Sequence, residues 1–98
     1  MPTEMVFVVF NSSIEDEMLE ALREAGMDCF TKIPGLHGQG SCSEPRLDSH
    51  VWPGTNIAYL IAVQSEERER ILEAIRKMKG IHREEGVSAF VFPLTHIV

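Results

Sequence analysis

Three residues between positions 37 and 50 could hold a metal ion. His37, Cys42 and His50, with Glu44 and Asp48 among them, gather imidazole, thiolate and carboxylate donors in one short stretch. Imidazole and thiolate suit Zn²⁺ or a copper ion. Their spacing matches no standard zinc finger, so the alternative is a solvated loop. Gly35, Gly38 and Gly40, in "GLHGQG", offer a second chemistry. Glycines permit positive φ and let a ligand approach the backbone closely. No Gly-Lys-Ser/Thr follows them, so this is not a P-loop. The serines Ser41 and Ser43 lie near histidines in sequence. They sit among glycines, and no nucleophile–base–orienter set emerges, so an enzyme is not expected.

These residues belong to a segment, 35–54, that carries no periodic pattern. A compact domain keeps so long a patternless loop when the loop is functional or disordered. Trp52-Pro53 near its end reads as an extended dipeptide that packs against the sheet or a neighbouring chain.

Regular elements flank the loop. "MVFVVF", residues 5–10, is β-branched and aromatic and apolar on both faces, which predicts a buried strand. Ser12-Ser13 is the expected cap of a helix with Glu15, Asp16 and Glu17 in its first turn. Ile14, Met18, Leu22 and Ala25 recur at helical spacing, and Gly26 ends the run. "DCFTKI" alternates weakly, as an edge strand does, with Cys29 expected as a small core hydrophobe. "TNIAYLIAV", residues 55–63, predicts a second central strand. A helix capped by Ser65 follows, with Ile71, Ala74, Ile75 and Met78 inward and Gly80 as its stop. "VSAFVFPLTHIV" is the last strand; Pro93 removes a ladder donor and places it at an edge. His82 and His96 have no evident partners and read as surface groups.

The order of elements is that of a ferredoxin-like βαββαβ sandwich: a four-stranded antiparallel sheet with two helices on one face. Strands one and three are expected at its centre, as a parallel pair, with two and four flanking. The helix-free face would then present Met5, Phe7 and Val9 with Ala58, Leu60 and Ala62. Leaving these wet forgoes about 1.5–3 kcal/mol for each large side chain. A patch of that kind is an interaction surface, so a closed homo-oligomer is expected; the alternative is that the loop 35–54 folds back over this face.

The 98 residues fit one domain. A net charge of −6 argues against nucleic acid as partner and against an anionic membrane surface. No apolar run approaches the roughly 18–20 residues of a membrane span. "MPTEM" lacks the features of a signal peptide, so a cytoplasmic protein is expected, with Cys29 and Cys42 reduced.

The chain resembles the PII signal-transduction proteins over nearly its whole length. The resemblance is carried by "TKIPGLHGQG" leaving strand two, "NIAYLIAV" on strand three and "SAFVFPLTHIV" at the end. "WPGTNIAYLIAV" is also similar to the CutA proteins, which share the architecture. Either relative implies a homotrimer with clefts between protomers. The PII resemblance makes 1–98 one PII-like domain with a T-loop-like insertion at 35–54. It implies an effector-binding set of Gly35, His37, Gly38, Gln39, Gly40, Arg83 and Gly86, with an adenine nucleotide or a divalent metal as ligand. It also implies that loop 36–53 contacts a regulated enzyme or membrane transporter, in a nitrogen-regulatory role. Where PII proteins carry a Gly-Asp-Gly-Lys phosphate run, this chain has "KGIHREEGVSAF". Glu84 and Glu85 there would repel phosphate, which Arg83 or Lys79 would partly offset. The alternative is a CutA-like metal-binding trimer with His37, Cys42 and His50 as ligands.

Overall fold

A computed structural model describes residues 1–37 and 55–98. Its elements are β1 (Glu4–Asn11), a single 3-10 turn (Ser12–Ile14), α1 (Glu15–Glu24), β2 (Thr31–Leu36), β3 (Asn56–Val63), α2 (Ser65–Ile81) and β4 (Val87–Pro93). The four strands form one sheet in the order β2-β3-β1-β4. All three neighbouring pairs are antiparallel, which gives the expected ferredoxin-like sheet.

One expectation is corrected: β1 and β3 are central but antiparallel, with Glu4 opposite Val63 and Asn11 opposite Asn56. The reason is connectivity. A helical crossover returns the chain in its original direction, so β1 and β2 run the same way. β3 pairs antiparallel to β2 and therefore to β1.

The two faces of the central pair differ. Val6, Val8, Phe10, Ile57, Tyr59, Ile61 and Val63 are buried against Met18 and Leu22 of α1 and Ile71, Ile75 and Met78 of α2. On the other face Met5, Phe7, Val9 and Leu60 are only half-buried and Ala62 is exposed, but Ala58, expected to be open there, is fully buried between its strand neighbours Val9 and Ile33. β4 extends that apolar face, since Phe90 lies opposite Phe7 and Phe92 opposite Met5. Phe90 is 57% exposed and Phe92 42%.

Several boundaries differ from expectation for local reasons. Asn11, not Ser12 or Ser13, begins the first helical segment: its Oδ1 accepts from the Ser13 N–H at 2.9 Å. Gln64, not Ser65, holds the N-cap of α2; the Glu67 carboxylate accepts from the Gln64 backbone N–H at 3.0 Å. Gly80 does not stop α2, which runs on to Ile81 and closes through the His82 N–H on the Met78 carbonyl at 2.8 Å. Gly26 does end α1, with the Met27 N–H reaching the Leu22 carbonyl at 3.0 Å. β2 starts at Thr31, so Cys29 stands before it and is exposed, while Met27 takes the inward place. β4 lies at the sheet's edge, as Pro93 predicts.

Candidate functional site

Of the effector-binding set, Gly35, His37, Arg83 and Gly86 fall within the described residues; Gly38, Gln39 and Gly40 lie outside them. Gly35 has φ +71° and stands where the β2–β3 register shifts between Ile33 and Leu36. That geometry is a β-bulge with glycine at the left-handed position. Gly86, with φ +80°, turns the chain from α2 into β4. A side chain at either position would strain the backbone although neither has atoms near an added Cβ.

Both turns stand at the same end of the sheet. Leu36 is opposite Asn56, Asn56 opposite Asn11, and Phe10 opposite Val87. They lie on opposite edges, however, because β2 and β4 are the outer strands. Three strand spacings separate them, on the order of 14 Å. His37 and Arg83 are exposed at the same two edges. Within one chain the set is thus split into two halves.

Of the proposed metal ligands only His37 is described; Cys42 and His50 lie outside, with Trp52, Glu44 and Asp48. Among the described residues no three His, Cys, Asp or Glu side chains come together to hold a metal ion.

Two polar clusters have no counterpart in the sequence reading. The first joins α1, β2 and β3. The Tyr59 hydroxyl, fully buried, donates to Glu15 Oε2 at 2.7 Å, and Lys32 Nζ lies 2.9 Å from the same oxygen. The Tyr59 ring meets Phe10 edge-on at 5.0 Å and Phe30 at 4.5 Å. The hydrogen bond from Lys32 holds the Glu15 carboxyl below its ordinary 4.5, against the upward pull of burial. Burial, then the Glu15 hydrogen bond, pushes the Tyr59 phenol far above its ordinary 10.

These shifts set two pH limits. Tyr59 favours its protonated form when folded, so its contribution is full below pH 10 and is lost as pH rises beyond that. Glu15 favours its charged form when folded, so its contribution is present above pH 4.5 and lost as pH falls below. A Tyr59→Phe variant will lose about 1.5–3 kcal/mol at neutral pH, the worth of a hydrogen bond to a charged acceptor. In urea denaturation that gap will stay level from about pH 6 to about 9 and shrink above about 10. A gap that persists undiminished at high pH would contradict the assignment.

The second cluster lies beside Gly86. His82 Nε2 is 3.0 Å from Glu17 Oε2, and its Nδ1 is 3.7 Å from Glu85 Oε1. The His82 side chain is 15% exposed, so the expectation of a partnerless surface histidine is corrected. His82 ties the turn after α2 to the first turn of α1. A third contact, Arg68 Nη1 to both oxygens of Glu4 at 2.8 and 3.0 Å, fastens α2 to the start of β1.

The described helices include none long and apolar enough to cross a membrane. The family model "Nitrogen regulatory protein P-II" matches residues 3–98. No curated protein matches. Among solved structures, a PII-like signalling protein from Thermus thermophilus is 26% identical, with a TM-score of 0.70 over 96% of this chain and 87% of that one. CPII from Thiomonas intermedia, a nitrogen regulatory PII-like protein solved with ADP, AMP and bicarbonate, is 17% identical; its TM-score is 0.70 over 100% and 98% of the two chains. The same protein with ADP and bicarbonate aligns at 20% identity and a TM-score of 0.71, over 96% and 87%.

Proposed function

The chain belongs to the nitrogen regulatory protein P-II family, and from that membership we propose that it is a cytoplasmic, non-catalytic signalling homotrimer that senses an adenine nucleotide. The observation that carries this reading is the split effector set. Gly35 and His37 stand at one edge of the sheet end, and Arg83 and Gly86 at the other. A single ligand engages both halves when the β2 edge of one copy meets the β4 edge of the next. The apolar face bearing Phe7, Phe90 and Phe92 supplies the reason for copies to meet.

The nucleotide assignment draws on CPII, which binds ADP and AMP. Gly38, Gln39 and Gly40 complete the effector set from the T-loop-like insertion 35–54. Ligand binding would be signalled through residues 36–53, by altering their contact with a regulated enzyme or membrane transporter.

A thermal-shift titration tests this directly. AMP or ADP at a hundred times its Kd will stabilise the protein by about 2.7 kcal/mol. That is a rise in Tm on the order of 10 °C for a chain of this size. Neither nucleotide will be hydrolysed. No shift with either nucleotide would remove adenine nucleotides as the effector.

A further inference from the structure

We propose that the groove between α1 and α2 is a docking surface of its own, and that it takes an acidic segment of a partner protein. It is separate from both the apolar sheet face and the effector set.

The second half of α2 runs against the charge of the chain. The protein carries a net charge of −6. From Arg70 to Ile81, however, Arg70, Arg76, Lys77 and Lys79 stand against Glu73 alone. All four cations are exposed. The helix dipole favours a cation in the last turn, where Lys79 stands, but its effect falls off within that turn. Arg70, Arg76 and Lys77 need another reason.

Those three side chains line an open groove of about 700 Å³ between the helices. Arg70, Ala74 and Lys77, at i, i+4 and i+7, share one stripe of α2. Ala74 and Ala25, both half-buried, line the groove with small apolar side chains. Arg76 is satisfied within the helix: its Nη1 lies 3.1 Å from Glu73 and 3.8 Å from Glu69. Arg70 and Lys77 have no ion-pair partner among the described residues. Packing places the Arg70 guanidinium against Gly26, 3.6 Å from where a Cβ would stand. Glu24 borders the groove from α1, so the anionic edge of a guest is directed to α2.

Arg70 and Lys77 are about 10 Å apart along the helix axis, the spacing of carboxylates two turns apart on a partner helix. An apolar side chain between those carboxylates meets Ala25 and Ala74 and leaves water. A short segment touches the cationic patch alone. An anionic membrane would also face the acidic remainder of the chain and be repelled by it. The groove lies on the helix side of the sheet, opposite Phe7, Phe90 and Phe92, so it stays open when copies meet through that apolar face.

Fluorescence anisotropy on the full chain tests the proposal, with a labelled helical peptide bearing glutamates two turns apart and a leucine between them. The peptide will bind at low salt and weaken as salt rises. A peptide with lysine for each glutamate will not bind. Arg70→Gln and Lys77→Gln together will weaken binding about tenfold, the effect of two exposed charge pairs. Lys79→Gln removes the same charge outside the groove and will change binding less than about twofold. Circular dichroism will match wild type in all three variants, since these side chains are exposed. Amide NMR shifts on peptide binding will centre on residues 24–26 and 70–77. Shifts centred on the sheet face, an unaffected double variant, or an equal loss in Lys79→Gln would overturn the proposal. So would failure of the peptide to bind, or binding of phosphatidylglycerol vesicles in its place.

Discussion

A Phe7→Asp variant will elute as a monomer at micromolar concentration, where the wild-type chain will elute at three times its mass. Phe7 sits in the middle of the helix-free face, with Leu60 opposite it on β3 and Phe90 opposite on β4. Its ring meets that of Phe90 at 6.2 Å. The inner face of the sheet is already filled by both helices. The outer face has no equivalent cover among the described residues, and both Phe90 and Phe92 remain exposed.

The size of the effect follows from burial and charge together. A phenylalanine buried between copies contributes about 1.5–3 kcal/mol, and a closed trimer contains three of them. Aspartate removes that gain and puts an unpaired carboxylate into an apolar contact, which costs several kcal/mol more at each site. The fold of the chain itself will survive, because Phe7 points away from the core of Val6, Val8 and Phe10. Far-ultraviolet circular dichroism will therefore stay near wild type while light scattering reports the lost assembly. The variant will also lose nucleotide binding, since a lone chain keeps Gly35 and Gly86 at opposite edges. A monomeric wild type, or a trimeric Phe7→Asp, would contradict the homotrimer reading.

How far the sequence reaches can be judged from particular residues. The central strands are legible because "MVFVVF" and "NIAYLIAV" are continuous β-branched and aromatic runs bounded by polar residues, the pattern of strands inside a sheet rather than at its edge. Pro93 marks its strand as an edge for a plain hydrogen-bonding reason. Each cap lies one residue before the serine that the pattern suggests. Asn11 is an ordinary cap hidden by the two serines beside it, and Gln64 is not a favoured cap at all; Glu67 reaching back to its N–H makes it one. Cys29 is not the core residue its neighbours suggest, because strand two starts at Thr31, after an irregular stretch whose inward residue is Met27.

The site divides in the same way. Gly35 and Gly86 are positions of positive φ, the need that glycine meets in a chain. Their common end of the sheet follows from the strand order. The Glu15–Tyr59–Lys32 cluster is invisible in the sequence, because 44 residues separate the tyrosine from its acceptor and no local pattern joins them. One signal does exist: a tyrosine on the inward face of a central strand must find a partner for its hydroxyl. The His82 contacts are hidden likewise, since Glu17 looks like any acidic residue in a first helical turn.

Tyr59 also yields the largest effect on folding. A Tyr59→Ala variant will lose about 3–5 kcal/mol, the range for deleting a buried aromatic ring. The ring is fully buried between Phe10 and Phe30, so its removal leaves both without a partner across the gap. The loss of the hydroxyl also removes the hydrogen bond from β3 to Glu15, leaving that carboxylate with Lys32 alone, and so weakens the tie among α1, β2 and β3. A chain this small has a total stability of about 5–15 kcal/mol. The variant will therefore melt at least about 15 °C below wild type. Comparison with Tyr59→Phe separates the two parts: the phenylalanine variant keeps the ring and loses only the hydrogen bond. Tyr59→Ala must be clearly the worse of the two in urea denaturation. Equal midpoints would mean that the hydroxyl, not the packed ring, carries the contribution of this residue.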